Sequence, residues 1–482
     1  LSLDLSFSNH LFIFYYGYYR KNICLSDNKL LLRCKVCKSN NNVSERPMEY
    51  IKKSTAAVAD SDEKIHHAVK AMLAEIEKNG ESAVKNYAKQ FDQWEGDFIL
   101  SDAKRAELIA QVPEQVRLDI QFAYAQVKTF AKAQLASLTE FEIDTAEGVK
   151  LGQKIIPVSC AGCYVPGGRY SHAASAIMSI ATAKVAGVKT IVACSPPKNG
   201  NIHPAIVYAM DLAGADIILE MGGVHAVATM AKGLFTGVPA DILVGPGNGY
   251  VAEAKRLLFG EVGIDVFAGP TESAIIADDS ADPMTIAVDL VSQAEHGYDS
   301  PVWLFTTSRR VGEKVAEIMP KVAADMPNHE VVKGAWDTHG EIIFCESREE
   351  CVRVSDEYAA EHLQVFTENT NWWKTHLTNY GSLFLGEGST VTHGDKCSGT
   401  NHILPTKKVA RYSGGLNVHK FLKILTYQEI SESANIDYSA VGSRISRVEG
   451  MEGHARACDW RLRKYFPGEQ WDFHVYDQQH YS

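Results

Sequence analysis

The feature that most constrains this fold is a regular alternation of strand-like and helix-like segments through the middle of the chain. Short runs of β-branched and aliphatic residues are followed by glycine-containing loops and then by stretches with apolar residues at helical spacing. Such alternation over short loops is typical of parallel sheets covered by helices. It predicts an α/β protein with two Rossmann-like parallel-sheet lobes and additional helical segments at both ends. The strand-like runs are residues 149–158, 190–194, 216–220, 241–244, 263–278, 301–306, 341–345 and 363–366.

The same pattern divides the chain into five segments. Charged and apolar residues mix at helical spacing from Ser61 to about Leu138, and a loop rich in glycine, threonine and serine ends near Gly415. We predict an extension, an N-terminal helical segment, a first and a second α/β lobe, and a C-terminal helical segment. Their bounds are residues 1–47, 48–150, 151–262, 263–415 and 416–482.

Composition narrows the class of protein. The 482 residues are 45% hydrophobic and 22% charged, which is ordinary for a soluble globular protein. A net charge of −11 without a long basic run argues against nucleic acid as a partner, and no apolar stretch approaches the ~20 residues of a membrane-spanning helix. Ten scattered cysteines are typical of reduced thiols. We expect a cytoplasmic protein that binds neither nucleic acid nor membrane.

The first 47 residues differ from the rest of the chain. The first methionine is Met48, and the aromatic run 11–19 is too short to span a bilayer and lacks a cleavage pattern after it. Cys34 and Cys37 have no second pair nearby, which argues against a zinc knuckle. We expect residues 1–47 to be a disordered extension or translated upstream sequence; a targeting role is the less favoured alternative.

Two pairs of side chains could do chemistry at the ends of regular elements. Gln293 and His296 are three residues apart at the end of a helical pattern closed by Gly297, so they share a face and could hold a cation such as zinc. Glu361 and His362 stand at the entrance of a strand-like run, where they could act as a general base and a water activator. The alternative for both pairs is an ordinary surface position.

Three further stretches are candidates. The glycine-rich loop 393–402 carries Asp395 and His402, and loops of this composition are more often functional than structural. Residues 449–454 carry another carboxylate and imidazole, Glu449 and His454. Gly245-Pro-Gly-Asn-Gly249 follows a strand-like run, where parallel sheets bind ligands and a helix N-terminus favours an anion. Its spacing is not G-x-G-x-x-G, so a phosphate site and a tight turn are equal alternatives.

Together these stretches resemble the histidinol dehydrogenase family. Eight ordered motifs between about Ser61 and Phe466 carry the resemblance, which leaves out the first 47 residues and the tail. The motifs are Tyr164-Val-Pro-Gly-Gly168, Gly245-Pro-Gly-Asn248, Gly269-Pro-Thr-Glu272, Ser292-Gln-Ala-Glu-His296, Glu361-His-Leu363, Gly394-Asp395, Asn401-His-Ile-Leu-Pro405 and Glu449-Gly450 with His454.

The resemblance implies an intertwined homodimer that oxidises a primary alcohol through an aldehyde to a carboxylate with two NAD. His362 would take the alcohol proton, and Glu361 would activate the water that hydrates the aldehyde. One zinc ion per subunit would position the substrate, held by Gln293, His296, Asp395 and His454 of the partner subunit. The implied substrate contacts are Thr271, His402 and Glu449, and the implied NAD contacts, in the lobe 151–262, are Tyr164, His225 and Asn248.

Two departures concern single contacts. His225 stands where histidinol dehydrogenases generally have glutamine, which bears on the implied NAD contact. Thr271 replaces the usual serine and keeps the hydroxyl group.

Other departures bear on the substrate. Arg169-Tyr-Ser-His172 after the Pro-Gly-Gly turn, and Lys396-Cys397 after the implied zinc aspartate, look closer to the sulfopropanediol dehydrogenase branch of the family. Arg and Lys bind oxyanions by charge-assisted hydrogen bonds, which suits a sulfonate; the alternative is that Arg169 and Lys396 face solvent or contact the NAD phosphates. We predict that Arg169, His172 and Lys396 contact 2,3-dihydroxypropane-1-sulfonate or a related polyol. The alternatives are L-histidinol, at the end of histidine synthesis, and a non-catalytic relative that binds metal or nucleotide.

Overall fold

The computed structural model describes residues 48–55, 61–168, 171–266 and 269–471. The predicted extension 1–47 and Arg169 lie outside these residues. Within them the chain is a mixed α/β protein with two mainly parallel sheets and one antiparallel sheet, which confirms the predicted fold class at this level. None of the described helices is long and apolar enough to cross a membrane.

The strands are numbered in chain order over the described residues. They are β1 (Glu49–Lys52), β2 (Phe141–Ala146), β3 (Val149–Pro157), β4 (Cys160–Tyr164), β5 (Thr190–Ser195), β6 (Ile217–Glu220), β7 (Ile242–Val244), β8 (Gly263–Ile264), β9 (Ser273–Ala277), β10 (Val302–Thr306), β11 (Glu341–Phe344), β12 (His362–Phe366), β13 (Ser382–Leu385) and β14 (Leu422–Ile430).

The helices follow the same numbering, and several begin at a side chain that accepts hydrogen bonds from the first turn, as Asn248 and Asp282 do. They are α1 (Ser61–Asn79), α2 (Glu81–Tyr87), α3 (Asp102–Ala110), α4 (Glu114–Ala136), α5 (Ala173–Ala176), α6 (Thr182–Ala186), α7 (Pro204–Ala213), α8 (Gly223–Lys232), α9 (Gly249–Leu258), α10 (Pro283–Ala294), α11 (Arg309–Ala324), α12 (His329–His339), α13 (Arg348–Tyr358), α14 (Thr370–His376), α15 (Val391–Lys396), α16 (Asn435–Val448) and α17 (Glu452–Tyr465).

The first parallel sheet has the strand order β6-β5-β4-β7-β8. Every residue of its central strand β4 is buried, because helices pack on both of its faces. Ala161 and Cys163 face the core shared with α4 and α7, whereas Cys160 and Tyr164 face the core shared with α1, α8 and α9. The carboxyl ends of β4 to β7 therefore lead into short loops at one edge of this sheet.

The second sheet has the order β1-β11-β10-β9-β12-β13, and every neighbouring pair is parallel except β1 with β11. Strand β12 lies between β9 and β13, with His362 paired opposite Ser273 and Ser382. Because these strands run in the same direction, the residues just before them, Glu361 and Glu272, lie side by side at the amino edge of the sheet.

The third sheet, in the order β14-β3-β2, is antiparallel, and it corrects part of the sequence prediction. Leu422–Ile430 lies in the segment 416–482 that is predicted to be helical, but it forms β14 and pairs with β3 along its whole length. Residues 423–429 are exposed, so the segment lacks the apolar alternation of a half-buried strand. Strands β1 and β2 likewise fall in the segment predicted as helical, and β1 is held by β11, a partner that no local pattern reveals.

Candidate active site

A cavity of about 1290 Å³ joins the two parallel sheets. From the first sheet, Tyr164 ends β4, His225 lies in the first turn of α8, and Asn248 begins α9. From the second sheet, Thr271 precedes β9 and His362 begins β12. The cavity therefore lies at the carboxyl edge of one sheet and the amino edge of the other. The predicted site residues that line it are Tyr164, His172, His225, Asn248, Thr271, His296, Glu361, His362, Asp395, Lys396 and His402.

The His362 imidazole is fixed to the neighbouring strand. Its backbone N–H and its ring Nδ1 lie 3.1 and 3.2 Å from the Glu272 carbonyl oxygen. Because a carbonyl oxygen only accepts, Nδ1 carries a hydrogen, and Nε2 holds the lone pair when the ring is neutral. Nε2 is buried without a hydrogen-bond partner, 3.4 Å from Asp395 Oδ1. An oriented nitrogen with a free lone pair at a cavity wall is arranged as a general base.

Glu361 lies beside His362 and is 6% exposed. Its Oε2 accepts a hydrogen bond from the Glu272 N–H at 2.9 Å and lies 3.6 Å from His362 Nδ1. Burial raises the pKa of Glu361 to about 8, although the His362 charge opposes this. Burial lowers the pKa of His362, but Glu361 and Asp395 outweigh it and raise that pKa to about 9. Both groups can therefore exchange protons at mildly alkaline pH.

Glu272 supports this pair, and the sequence assigned it no role beyond its place in a motif. Its backbone contacts both Glu361 and His362, and its Oε1 accepts a hydrogen bond from the Lys407 N–H at 2.7 Å. Burial raises the pKa of Glu272 to about 7, against the hydrogen bond from Lys407. No spacing marks such a residue, because its contacts to the pair run through the backbone of an adjacent strand.

Three side chains near the end of α10 and in α15 offer donor atoms for a metal ion. The Gln293 amide nitrogen lies 3.4 Å from Ser292 Oγ, whereas its Oε1 is buried without a partner. Burial lowers the pKa of His296 to about 4, so its imidazole is neutral. Burial acts to raise the pKa of Asp395, but the adjacent His362 holds it below its usual range. An amide oxygen, a neutral imidazole and a carboxylate suit zinc.

These donors form an incomplete shell within one chain. In the part of the chain that the structure describes, no three His, Cys, Asp or Glu side chains are grouped as a metal site. The predicted fourth ligand, His454, is exposed on α17, and neither it nor Glu449 lines the cavity. Their predicted roles therefore require a second subunit.

Polar and basic side chains surround the end of the cavity at which Asp395 lies. His402 Nδ1 donates to the Asp395 carbonyl oxygen at 2.8 Å, so its Nε2 accepts from the Ser175 hydroxyl at 2.8 Å. Burial lowers the pKa of His172 to about 4, and the nearby His402 and Lys396 lower it further. Lys396 is exposed and lines the cavity. Ser175 is buried in α5, and nothing in the sequence motifs pointed to it.

The first sheet offers hydrogen-bonding groups whose orientation is set by backbone contacts. The Tyr164 hydroxyl accepts from the Gly223 N–H at 3.0 Å, so its own hydrogen is left to donate. Burial raises the pKa of Tyr164 above its usual range, which keeps that hydrogen in place. Asn248 Oδ1 accepts from the first turn of α9, which leaves the amide NH₂ as a donor.

The loop between β7 and α9 is a tight turn above a buried ion pair. Gly245 has φ +120°, and a Cβ there would lie 2.1 Å from the Tyr164 carbonyl oxygen. Its N–H donates to Asp265 at 2.7 Å, and its carbonyl accepts from Lys255 at 2.9 Å. Lys255 and Asp265 are paired and buried, so charged side chains hold the loop whose next residues line the cavity.

His225 is fully buried in the first turn of α8 and has a carboxylate partner. Asp92 Oδ2 lies 2.8 Å from His225 Nε2 and also accepts from the Gly222 N–H at 2.9 Å. His225 Nδ1 is buried without a partner. Asp92 ends the π-helical turn Ala88–Asp92, more than a hundred residues earlier in the chain. The sequence motifs gave no indication of this pair.

Known proteins resemble this chain over almost its whole described length. The histidinol dehydrogenase family model matches residues 55–462. Sulfopropanediol 3-dehydrogenase from Ruegeria pomeroyi is 53% identical over 88% of this chain and 98% of its own length. Histidinol dehydrogenase from Methanococcus maripaludis is 37% identical over 82% of this chain and 92% of its own. The crystal structure of histidinol dehydrogenase from Elizabethkingia anophelis, 32% identical, superposes with a TM-score of 0.78 over 87% of this chain and 94% of that one.

The matched span contains every motif that builds the cavity, from Tyr164 at the end of β4 to His402 beside Asp395. Sequence identity above 30% and a shared fold extend over both parallel sheets, not over one of them alone. The chain therefore belongs to the histidinol dehydrogenase family.

Proposed function

We propose that this protein is a zinc-dependent, NAD-linked dehydrogenase that oxidises a primary alcohol twice, through an aldehyde to a carboxylate. The observation that carries this proposal is the His362 imidazole, whose Nδ1 is held by the Glu272 carbonyl and whose Nε2 has no partner at the cavity wall. We further propose a sulfonated diol, 2,3-dihydroxypropane-1-sulfonate, as the substrate. A relative 53% identical to this chain is named for sulfopropanediol, which supports that choice.

In the first oxidation, the alcohol hydroxyl gives its proton to His362 Nε2 while its carbon gives a hydride to NAD. The Nδ1–H bond to Glu272 keeps the ring in place as it becomes charged. The carboxylates of Glu361 and Asp395, 3.6 and 3.4 Å from the ring nitrogens, stabilise the imidazolium. The products are an aldehyde, NADH and a proton on His362.

In the second oxidation, Glu361 takes a proton from water as the water oxygen bonds to the aldehyde carbon, and the charged His362 gives its proton to the carbonyl oxygen, so that a hydrate forms and the ring is neutral again. The resulting hydrate then gives a hydroxyl proton to His362 and a hydride to a second NAD, which leaves a carboxylic acid. Glu361 and His362 are 6% and 3% exposed and lie side by side, so one buried pair would serve both steps, which would limit release of the reactive aldehyde.

Gln293 Oε1, His296, Asp395 and His454 of the partner subunit would hold the zinc ion. Bound there, the ion would polarise and position the substrate alcohol oxygen as a Lewis acid. The residues present fit this role, because the Gln293 oxygen is buried without a partner and the His296 ring is neutral. The absence of cysteine from the set suits a metal that positions substrate.

The partner subunit is a second copy of this chain, and the exposed C-terminal hairpin α16–α17 is the part that we assign to the contact. Val441, Ile445 and Val448 recur at helical spacing on α16 and are exposed, and Trp460 of α17 is 64% exposed. Apolar side chains exposed on this scale mark a protein interface. An intertwined homodimer would cover them and would bring Glu449 and His454 to the neighbouring cavity.

The sulfonate would contact Lys396, His172 and Arg169. Both Arg169 and His172 follow the Pro-Gly-Gly turn in the sequence. Lys396 lines the cavity beside Asp395, and its positive charge lowers the pKa of the nearby His172 and His402, which supports a role for this charge in binding an anionic substrate. Thr271 and His402 would contact the diol hydroxyls. At the other sheet, Tyr164, His225 and Asn248 would contact NAD.

The test is a rate measurement on the zinc-loaded enzyme with NAD and each alcohol. We expect a higher kcat/KM for 2,3-dihydroxypropane-1-sulfonate than for L-histidinol, and two NADH formed per alcohol. A higher kcat/KM for L-histidinol would overturn the substrate assignment in favour of histidine synthesis. One NADH per alcohol, with release of an aldehyde, would overturn the two-step reaction.

Lys396→Met sharpens the substrate assignment. Loss of one charge-assisted hydrogen bond predicts a rise of roughly 10- to 100-fold in KM for the sulfonate. Lys198→Met, which changes another lysine lining the cavity, is the control and should leave that KM unchanged. If Lys396→Met raised only the KM for NAD, Lys396 would contact the cofactor phosphates instead.

A further inference from the structure

We propose that Asp92 is a positioning residue that fixes the hydrogen-bonding state of His225, so that His225 Nδ1 accepts a hydrogen bond from an N–H or O–H group of the dinucleotide. The proposal rests on the proposed function, in which NAD binds beside Tyr164, His225 and Asn248. It adds a residue, Asp92, that none of the family motifs contains.

The geometry of the pair determines which ring nitrogen carries the hydrogen. Asp92 Oδ2 lies 2.8 Å from His225 Nε2, and a carboxylate oxygen only accepts. A neutral ring at this position therefore carries its hydrogen on Nε2 and its lone pair on Nδ1. The side chains of His225 and Asp92 are 0% and 9% exposed, so water does not compete for this bond. The Gly222 N–H donates to the same oxygen and holds the carboxylate in place.

The other ring nitrogen has no partner among the described residues. His225 Nδ1 is buried and makes no hydrogen bond, and leaving a buried acceptor unpaired is unfavourable. His225 lines the cavity, as do Asp92 and Tyr164. Residue 223, which lies beside the ring, is a glycine and places no side chain next to Nδ1. A Cβ built on it would lie 3.7 Å from this nitrogen, too far for a clash. The Gly223 N–H is already donated to Tyr164, so it cannot satisfy this nitrogen.

The chemistry explains why an imidazole at this position needs a partner. A glutamine amide presents a donor and an acceptor on separate, fixed atoms, whereas the two nitrogens of a histidine exchange these roles with the tautomer. Asp92 removes that freedom and makes Nδ1 an acceptor. In the same way, the Gly223 N–H donates to the Tyr164 hydroxyl oxygen, so that the hydroxyl hydrogen is left to donate to a ligand. The first sheet thus presents one defined donor and one defined acceptor to the same ligand.

The experiment is a cycle of four proteins: the unchanged chain, Asp92→Ala, His225→Gln, and both changes together. The Kd for NAD is measured by calorimetry on the zinc-loaded enzyme without alcohol. We expect Asp92→Ala to weaken NAD binding about tenfold, the effect of one lost hydrogen bond. In the His225→Gln background the same change should alter the Kd by less than about twofold, because glutamine needs no carboxylate to define its acceptor.

Two further variants separate the possible failures. Asp92→Asn keeps an oxygen for the Gly222 N–H and preserves the fold, and it should give a Kd between those of the unchanged chain and Asp92→Ala. Equal weakening by Asp92→Ala in both backgrounds, or none in the unchanged chain, would overturn the role of Asp92. His225→Ala should also weaken NAD binding. If His225→Ala left the Kd for NAD unchanged, both the NAD contact in the proposed function and this inference would be overturned. If His225→Ala weakened NAD binding but Asp92→Ala did not, only the inference would be overturned.

A kinetic readout distinguishes positioning from a general loss of structure. Asp92→Ala should raise the KM for NAD while kcat at saturating NAD stays within about twofold, since uniform loss of binding acts on KM alone. A fall in kcat with unchanged KM would contradict a positioning role.

Discussion

The two parallel sheets meet at one cavity but present opposite ends of their strands to it. The first sheet offers carboxyl ends, and its contributions come from loops and helix starts such as residues 246–248 and 223–225. The second offers amino ends, and its contributions are strand residues themselves, His362 in β12 and Glu361 just before it. Ligand sites in open parallel sheets usually lie at carboxyl ends, a rule that the first sheet follows and the second does not.

The difference corresponds to what each sheet has to do in the proposed reaction. Two NAD molecules must bind and leave in each turnover, and loops with backbone donors suit a ligand that exchanges. The proton acceptor must keep its place through both oxidations, and a residue bonded twice to the adjacent strand does so. A clear separation of roles follows: changes in the second sheet should alter chemistry, and changes in the first should alter cofactor binding.

The largest effect should come from His362→Asn. Loss of the general base predicts a fall in kcat of roughly 10²- to 10⁴-fold, while the amide can still donate to the Glu272 carbonyl. The Kd for NAD, measured by calorimetry, should remain unchanged, since His362 belongs to the second sheet. A fall in kcat below about tenfold, or a large change in NAD affinity, would break the separation of roles.

Asp395→Ala should release zinc and lower activity by more than about 100-fold, since even the partners of metal ligands contribute 10- to 100-fold to metal affinity or activity. Metal content is measured by mass spectrometry on the purified protein. Asp299→Ala removes another carboxylate that lines the cavity and should leave the zinc content at one ion per subunit. Full zinc retention in Asp395→Ala would contradict the ligand set.

Gly245→Ala tests the first sheet. The new Cβ would lie 2.1 Å from the Tyr164 carbonyl oxygen and force the loop to move. We therefore expect the free energy of unfolding to fall by ~1–3 kcal/mol and the KM for NAD to rise. Gly260→Ala is the matched control, because Gly260 also has a positive φ, +105°, but open space around its Cβ. Thermal unfolding and NAD titration check both variants. Equal effects of the two changes would mean that backbone strain, and not the contact with Tyr164, matters.

The smallest expected effect is a pH dependence of the second oxidation. Burial raises the pKa of Glu361 to about 8, and the group works as a base only when it is ionised. The rate with the aldehyde as substrate should therefore rise by up to roughly tenfold between pH 7 and 9. Glu361→Gln should slow the step and remove the part of this rise that belongs to Glu361, leaving only the titration of His362, which takes the hydrate proton. A rate that fell over this range would contradict the assignment of Glu361 as the base for water.

The sequence predicted the parts of this site whose residues are close together in the chain. The alternation of strands and helices predicted the two parallel sheets, and the motifs predicted that Glu361 and His362 stand at the entrance of a strand. The sequence did not predict Asp92 or Ser175, because each contacts a partner far along the chain and neither belongs to a motif of recognisable spacing. The sequence did not predict strand β14, because most of its side chains are exposed and it pairs with β3 through backbone hydrogen bonds, which leave no pattern in the sequence.

The double attachment of His362 to the Glu272 carbonyl also bears on how such a protein can diversify. The His362 imidazole is held by the register of β9 against β12, because its partner is a backbone carbonyl of the neighbouring strand edge. His172 and Lys396, by contrast, lie outside that sheet, next to α5 and at the end of α15. Under the proposed function, exchanging side chains at such peripheral positions would change which alcohol is accepted and would leave the groups that carry out the oxidation in place.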